Sequence, residues 1–424
     1  MKNYEITNGI ILSYDGEAMI TEEKTLYVKE GRITFAPFAE GEEYEVIDAG
    51  RKLIMPGLIN MHTHAYMTMM RNYADDVPFQ EWLFQRVMPV EDNLPIEAAY
   101  WTSMLGILEM IRTGTTCFTD MHMYHRQVTQ AAREAGIRAY IGRGLVGEDL
   151  YEDGYSRFKQ ALEEKEEFES DTLKFLLAPH AIYTCSEKLL RQVAEAADEH
   201  KMLKQIHLSE SMTELNDCLK NHGKTPVQYL NDIGFLDGNT ILAHCVQMQG
   251  NDLEIIRDSG ATIVTNVASN AKLGNGIAPL SQMKELGINV CVGTDGTASN
   301  NTLNMFREMG LLSLMHKAFA RDCLAIPSDY IVKAATYNGS LALHNSAIGL
   351  IQEGAAADLI FLDLDAPSLF PNNNILSALC YSANGSEVES VMINGKFVMQ
   401  DRQLLTIDQE RVYYEVGKIV EKHL

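Results

Sequence analysis

The sequence predicts an α/β protein: a (β/α)8 barrel of the TIM type, carrying a small β-sandwich assembled from both chain termini. Three observations predict it. Short apolar runs recur through the middle of the chain, each followed by a longer amphipathic segment. The two ends carry short β-prone runs broken by turns. Histidines and an aspartate recur at the ends of several of the apolar runs, where a barrel keeps its chemistry.

The N-terminal runs are "NYEITNGIILSYDG", "TLYVKEGRITFAP" and "YEVIDAG", patterned as antiparallel sheet. Similar runs return near the other end, "ADLIFLDLD" (357–365) and "SVMINGKFVMQDRQLL" (390–405), where Asn394-Gly395 is a strong hairpin turn. Neither end has enough strands to cover its own sheet, so residues 1–52 and 347–424 are expected to form one composite sandwich. Residues 53–346 form the barrel. Its strands are read as "LIMPGLINMH" (53–62), "TTCFTDMH" (115–122), "RAYIGRGL" (138–145) and "KFLLAPH" (174–180). The remaining four are "KQIHLSE" (204–210), "TILAHCV" (240–246), "TIVTNVAS" (262–269) and "NVCVGTDG" (289–296). Continuous apolar runs suit strands buried on both faces by helices. A doubly wound open sheet would predict a Gly-rich first turn, and none follows the first run.

With 424 residues the chain exceeds one small core and suits a large domain plus a smaller one. A formal charge of −23 excludes nucleic acid and anionic membrane as partners, because both reward basic surfaces. The acidity is spread along the chain, as in "EEKEEFESD" (163–171), and reads as solvated helix surface. Seven cysteines stand singly without a C-x-x-C, which fits a reducing compartment and excludes a thiolate zinc cluster. No N-terminal signal peptide and no membrane-spanning run are readable, so a cytoplasmic protein is expected.

In "INMHTHAYMTMM" (59–70) two histidines stand one residue apart in an apolar run. Residues two apart on a strand point the same way, so His62 and His64 project together from the first strand end. The same end of the fifth strand carries His207, of the sixth His244, and of the eighth Asp295. Singly, each is more often a core or turn residue; jointly, on separate strands, they describe a metal site. Zinc accepts imidazole nitrogens and carboxylate oxygens, and a catalytic site keeps a position for water, whose pKa falls towards ~7. Glu210, three residues past His207 in "HLSE", is placed to shuttle protons over the metal. A two-metal site generally takes a bridging lysine at the end of strand four. The lysine there, Lys174, lies at the wrong end, so one metal is expected. His122 and His125 match no ligand pattern and are read as structural or surface residues.

The segments "PGLINMHTHA", "HLSE", "AHCV" and "GTDGTASNN" resemble the amidohydrolase superfamily. The longer strings "EWLFQRVMPVED", "APHAIYTCSE" and "NAKLGNGIAPL" narrow the resemblance to the methylthioadenosine/S-adenosylhomocysteine deaminases, over essentially the whole chain. The resemblance implies one divalent metal, zinc above iron or manganese, held by His62, His64, His207 and Asp295. It implies Glu210 as proton shuttle touching the purine, His244 as the residue orienting the water, and Glu91 on the ribose hydroxyls. His180 would contact the adenine ring, and Arg143 with Arg157 would engage an amino-acid carboxylate. A carboxylate accepts two hydroxyl donors at once, and guanidinium pairs suit carboxylates, so the chemistry agrees. Proline usually follows the His-Ala pair in that family; Ile182 stands here, and a looser turn beside His180 is expected.

The implied activity is hydrolytic deamination at C6 of 5′-substituted adenosines, with Asp295 both ligating and shuttling protons through a second, free oxygen. The implied partner is a small nucleoside. The alternative is another aminohydrolase or chlorohydrolase of the same scaffold, acting on guanine or triazines, with no use for Glu91 or the arginine pair. A cytidine-deaminase-type site is excluded, since it needs H-x-E and P-C-x-x-C strings. A non-catalytic relative would have dropped ligands, and all are kept. The apolar residues of "SNNTLNMFREM" (299–309) fit either a helix between subunits of a homo-oligomer or ordinary core packing.

Overall fold

The computed structural model describes residues 1–424. Eight parallel strands form the barrel: β1 (Leu58–Thr63), β2 (Thr115–His122), β3 (Arg138–Leu145), β4 (Leu173–Pro179), β5 (Leu203–Leu208), β6 (Thr240–His244), β7 (Thr262–Thr265) and β8 (Val290–Val292). Each pairs in parallel with the next, in chain order. All residues of β2, β3 and β6 are buried, as expected of strands covered by side chains inside and helices outside.

The ring is closed between β8 and β1 by three hydrogen bonds rather than a regular ladder. Asn60 Nδ2 donates to Thr294 Oγ1 at 2.7 Å, and the Thr294 N–H donates to Asn60 Oδ1 at 3.0 Å. The Asp295 N–H then donates to the His62 carbonyl at 2.9 Å. One amide side chain thus replaces missing ladder bonds, and the closure sets Asp295 beside the first histidine.

Two further sheets lie outside the barrel. The larger runs in the order Gln403–Leu404, Lys396–Gln400, Val388–Ile393, Leu359–Asp363, Lys52–Pro56, Ile10–Tyr14, Met19–Glu23. The smaller runs Arg32–Thr34, Leu26–Lys29, Tyr4–Thr7, Glu45–Asp48. Leu359–Asp363 pairs antiparallel with Lys52–Pro56, which joins the two chain ends directly. Ile6, Leu26 and Val28 of one sheet pack against Ile54, Phe361 and Met392 of the other. The expected hairpin forms, with Asn394 at φ 49° and Gly395 at φ 73°, the left-handed values of its turn.

Two sequence expectations change. The sheet patterning was read as antiparallel, but Tyr4–Thr7 pairs with Glu45–Asp48, and Ile10–Tyr14 with Lys52–Pro56, in parallel. Intervening strands carry the chain back before each partner is reached. The run 53–62, read as one strand, is two: Lys52–Pro56 belongs to the sandwich and β1 begins at Leu58. Gly57 separates them, where a Cβ would stand 2.0 Å from Thr116 Oγ1, so only glycine lets the chain pass β2 this closely. Met305, Phe306 and Met309 of helix Met305–Ala320 are buried within the chain, which answers the 299–309 stretch by core packing. No helix is long and apolar enough to cross a membrane.

Because Asn60 satisfies both a buried N–H and a buried hydroxyl at the seam, Asn60→Ala should lower stability by about 2 kcal/mol. Urea unfolding followed by far-UV circular dichroism measures this; an unchanged midpoint would show that the ring closes without it.

Candidate active site

The four side chains singled out as ligands meet at the carboxyl ends of β1, β5 and β8. His207 Nε2 lies 3.1 Å from His62 Nε2 and 3.3 Å from His64 Nε2. Asp295 Oδ1 lies 3.5 Å from His62 Nε2 and 3.3 Å from His64 Nε2. The protons are committed elsewhere: His62 Nδ1 faces Gln205 Oε1 at 3.3 Å, His64 Nδ1 the Met121 carbonyl at 2.8 Å, and His207 Nδ1 the His180 carbonyl at 2.8 Å. Each Nδ1 therefore carries the hydrogen, and each Nε2 presents a lone pair to the same point. Such a set repels itself unless a cation fills its centre. Donors bound tetrahedrally at ~2.05 Å stand about 3.3 Å apart, which matches the separations here. The residues fit a single divalent ion. Lys174 sits at the opposite end of β4, where it pairs with Glu169, so no bridging lysine is present.

The electrostatics agree. Burial holds His62 and His207 below the ordinary imidazole range, as ligands require. His64 is pushed up to about 9: burial opposes this, but the hydrogen bond and charge of Asp295 outweigh it. Asp295 is held well below the carboxylate range against its own burial by His62 and His64. The cluster draws positive charge.

His244 reaches the same point, with its ligating nitrogen close enough to group with His62 and Asp295. Its Nδ1 faces Asn270 Oδ1 at 2.8 Å, and its Nε2 stands 3.8 Å from Glu210 Oε2. Glu210 Oε1 accepts from Asn275 Nδ2 at 3.0 Å. Burial, then the Asp295 charge, pushes Glu210 up to about 8. Ser209, His244 and Asp295 have φ of 51°, 74° and 61°, left-handed values uncommon outside glycine. The chain turns sharply where each strand end delivers its side chain. One expectation is corrected here: Asp295 Oδ2 is not free, since Ser269 and Ser299 hydroxyls donate to it at 2.6 and 2.8 Å.

These groups open on a cavity of about 240 Å³ that also contains His180, Glu91 and Arg157. One wall is apolar, made by Phe79, Trp82, Leu83, Phe84 and Met88 from a segment that includes the π-helical turn Trp82–Val87. Trp82 Nε1 donates to the Ala298 carbonyl at 3.1 Å, tying this wall to the loop that carries Asp295. Glu91 ends the same segment, and its apolar surroundings push its carboxyl up to about 7. Burial pulls His180 down to about 4, so the ring is neutral; its Nδ1 faces Thr184 Oγ1 at 3.0 Å. The turn after His180 is not loose without the proline. The Ala181 N–H donates to Thr184 Oγ1 at 3.2 Å, and the hydroxyl returns a bond to the Ala181 carbonyl at 3.1 Å.

An outer chamber adjoins this cavity; Glu91, Asp92, Met123 and Arg157 line both. Arg143 lines only the outer one, where its Nη2 donates to Gln160 Oε1 at 2.6 Å. Arg143 Nε and Arg157 Nη1 are buried without a partner, and burial lowers Arg143 to about 10. Arg157 thus stands with Glu91 where the two chambers join, and Arg143 lies in the outer one. His122, read as structural or surface, lies in the inner wall with its ring 3.5 Å from that of Tyr66. His125 is buried and paired with Glu164. The groups that sequence reasoning missed are the orienting ones: Gln205, Ser269, Asn270, Asn275, Ser299 and Glu214. Asn270 and Asn275 lie within "NAKLGNGIAPL" and Ser299 within "GTDGTASNN", so the strings marked the place without giving the role.

Comparison with known proteins agrees with this geometry. The Amidohydrolase family model matches residues 53–398. A 5-methylthioadenosine/S-adenosylhomocysteine deaminase of Thermoanaerobacter pseudethanolicus is 40% identical over 422 residues, covering 98% of each chain. A 5′-deoxyadenosine deaminase of Methanopyrus kandleri is 39% identical over 405 residues, covering 93% of this chain and 94% of its own. Among solved structures, an adenosine deaminase from Xanthomonas campestris with bound zinc superposes with a TM-score of 0.93. It is 28% identical and covers 99% of this chain and 98% of its own.

Elemental analysis of the purified protein should return about one divalent ion per chain. His207→Ala, which removes one donor and frees the other two imidazoles to repel, should lose it; full retention would place the ion elsewhere.

Proposed function

The chain belongs to the amidohydrolase family, and on that premise we propose that it hydrolyses the C6 amino group of 5′-substituted adenosines, giving the inosyl product and ammonia. The observation that carries this reading is the order of groups along the two cavities. The four-donor cluster with Glu210, His244 and His180 comes first, Glu91 and Arg157 stand together at the junction of the two chambers, and Arg143 lies in the outer one, with Arg157 Nη1 and Arg143 Nε buried and unpaired. That order matches purine, ribose and 5′ substituent. A guanine or triazine would give Glu91 and the arginines nothing to hold. The names of the two relatives quoted above differ only in the 5′ substituent of an adenosine, which supports the same reaction at the purine end.

His62, His64, His207 and Asp295 would hold the ion. Zinc suits these nitrogen and oxygen donors, and iron(II) or manganese(II) are accepted by the same set. When bound, the ion supplies the Lewis acidity that makes water nucleophilic near neutral pH. The chain's own groups do the rest. His244, its Nδ1 proton given to Asn270, offers Nε2 to a hydrogen of the incoming water and so orients it. Glu210 holds a proton at neutral pH because it is buried near Asp295, and gives it to the ring nitrogen beside C6. That makes C6 electrophilic as the water oxygen adds. Asp295 takes the water's proton. The proton on Asp295 passes to the amino nitrogen so that ammonia leaves, and the remaining hydroxyl hydrogen returns to Glu210 as the C6 carbonyl forms. Glu91 accepts from the ribose diol, and His180 packs against the adenine.

The test is ammonia release from adenosine, 5′-deoxyadenosine, methylthioadenosine and S-adenosylhomocysteine. All four should turn over, and Glu210→Gln should keep its metal while kcat falls about a thousandfold. Activity within a few-fold of native in that variant would remove Glu210 as the proton donor. Arg143→Ala should cut kcat/KM for S-adenosylhomocysteine at least about tenfold and leave methylthioadenosine nearly unchanged, because only the former offers a carboxylate. Equal losses on both substrates would dismiss the carboxylate clamp.

A further inference from the structure

Glu214 has no part in the chemistry just described, yet it is buried beside it, 4% exposed. It belongs to the first turn of helix Met212–His222, whose N-cap Ser211 accepts the Glu214 N–H at 3.2 Å. A glutamate at this position of a capping box ordinarily reaches back to the N–H of the N-cap residue itself. Glu214 passes Ser211 and reaches further. Its Oε1 accepts the Ser209 N–H at 3.0 Å and its Oε2 the Glu210 N–H at 2.8 Å. The side chain serves the strand end, not the helix.

That strand end is held from the other side as well. The Ser209 carbonyl accepts the Val246 N–H at 3.0 Å and the Gln247 N–H at 2.8 Å, just past His244. Ser209 itself is kept at a φ of 51°, which a non-glycine residue leaves when released. Two consecutive buried donors thus meet one carboxyl group, and the left-handed residue they include is tied through its carbonyl to the segment just past His244.

We propose that Glu214 is a positioning residue: its two-oxygen grip on the Ser209 and Glu210 amides fixes the Glu210 carboxyl between Asn275 and His244, and so fixes where the proton is delivered. The inference rests on the role proposed for Glu210. Without the grip, two amides lose their acceptor, Ser209 relaxes, and the Glu210 carboxyl moves. A displacement of ~1 Å at a reacting group costs on the order of a hundredfold in rate.

The experiment places Glu214→Gln and Glu214→Ala in the native and in the Glu210→Gln protein, with kinetics, metal content and a crystal structure of Glu214→Ala. Glutamine keeps one accepting oxygen, so kcat should fall about tenfold, and about a hundredfold for alanine. KM and metal content should stay within about twofold of native. In the Glu210→Gln background, Glu214→Ala should cost nothing further, since it acts through the group already removed. Additive losses in the double variant, or a kcat that falls only in step with lost metal, would overturn the proposal while leaving the deaminase reading intact. A Glu210 carboxyl unmoved in the variant structure would overturn it whatever the activity. A native protein that releases no ammonia from any of the four nucleosides would instead remove the proposed function, and the structure of the variant would still decide the positioning.

Discussion

Three imidazole nitrogens and a carboxylate oxygen converge with separations of 3.1–3.5 Å, and the barrel mouth is organised around this. The arrangement persists because each ring is locked from behind. Met121 and His180 contribute backbone carbonyls and Gln205 a side-chain oxygen, each taking the Nδ1 hydrogen and aiming the opposite lone pair inward. Electron pairs forced together in this way are a store of repulsion that a cation relieves. The donors on β1, β5 and β8, from distant parts of the sequence, must therefore be held rigidly by everything beneath them.

The rigidity has two sources. One is the barrel, whose parallel strands are buried on both faces. The other is the seam between β8 and β1, where Asn60 and the His62 carbonyl bind the Thr294–Asp295 segment. Against these acts local strain: Ser209, His244 and Asp295 occupy left-handed backbone conformations that cost about 1–2 kcal/mol each. The strain is confined to the strand ends, so it turns side chains into the cavity without disturbing the strands.

Beyond the cluster, polarity is graded. Burial drives Glu210, next to the donors, up, while the histidine partners hold Asp295 far down against its own burial. Two carboxylates in one cavity thus stay in opposite protonation states, which is what a site needs if one is to give a proton and the other to take one. Further out the wall becomes apolar, and the outer chamber sets Arg126, Arg143 and Arg157 among Glu91, Asp92, Glu163 and Glu164.

The sequence by itself determined the barrel, the composite sheets and the residues that carry chemistry, because these are properties of local pattern. Apolar runs of strand length, a histidine pair spaced to share a strand face, and an Asn-Gly turn are all written in adjacent residues. The four side chains that meet at the barrel mouth were legible for the same reason, His62 and His64 at the end of one run and His207 and Asp295 at the ends of two others. The division of 53–62 at Gly57 was not, since only the approach of Thr116 from β2 requires it. Nor could the sequence show that both oxygens of Asp295 are engaged, that the turn after His180 closes on Thr184 in place of a proline, or that Glu214 turns back onto its own strand end. Those facts depend on which groups meet after the ring has closed. Hydrogen-bond partners far apart in the chain are chosen by tertiary packing, and no single-residue preference encodes them.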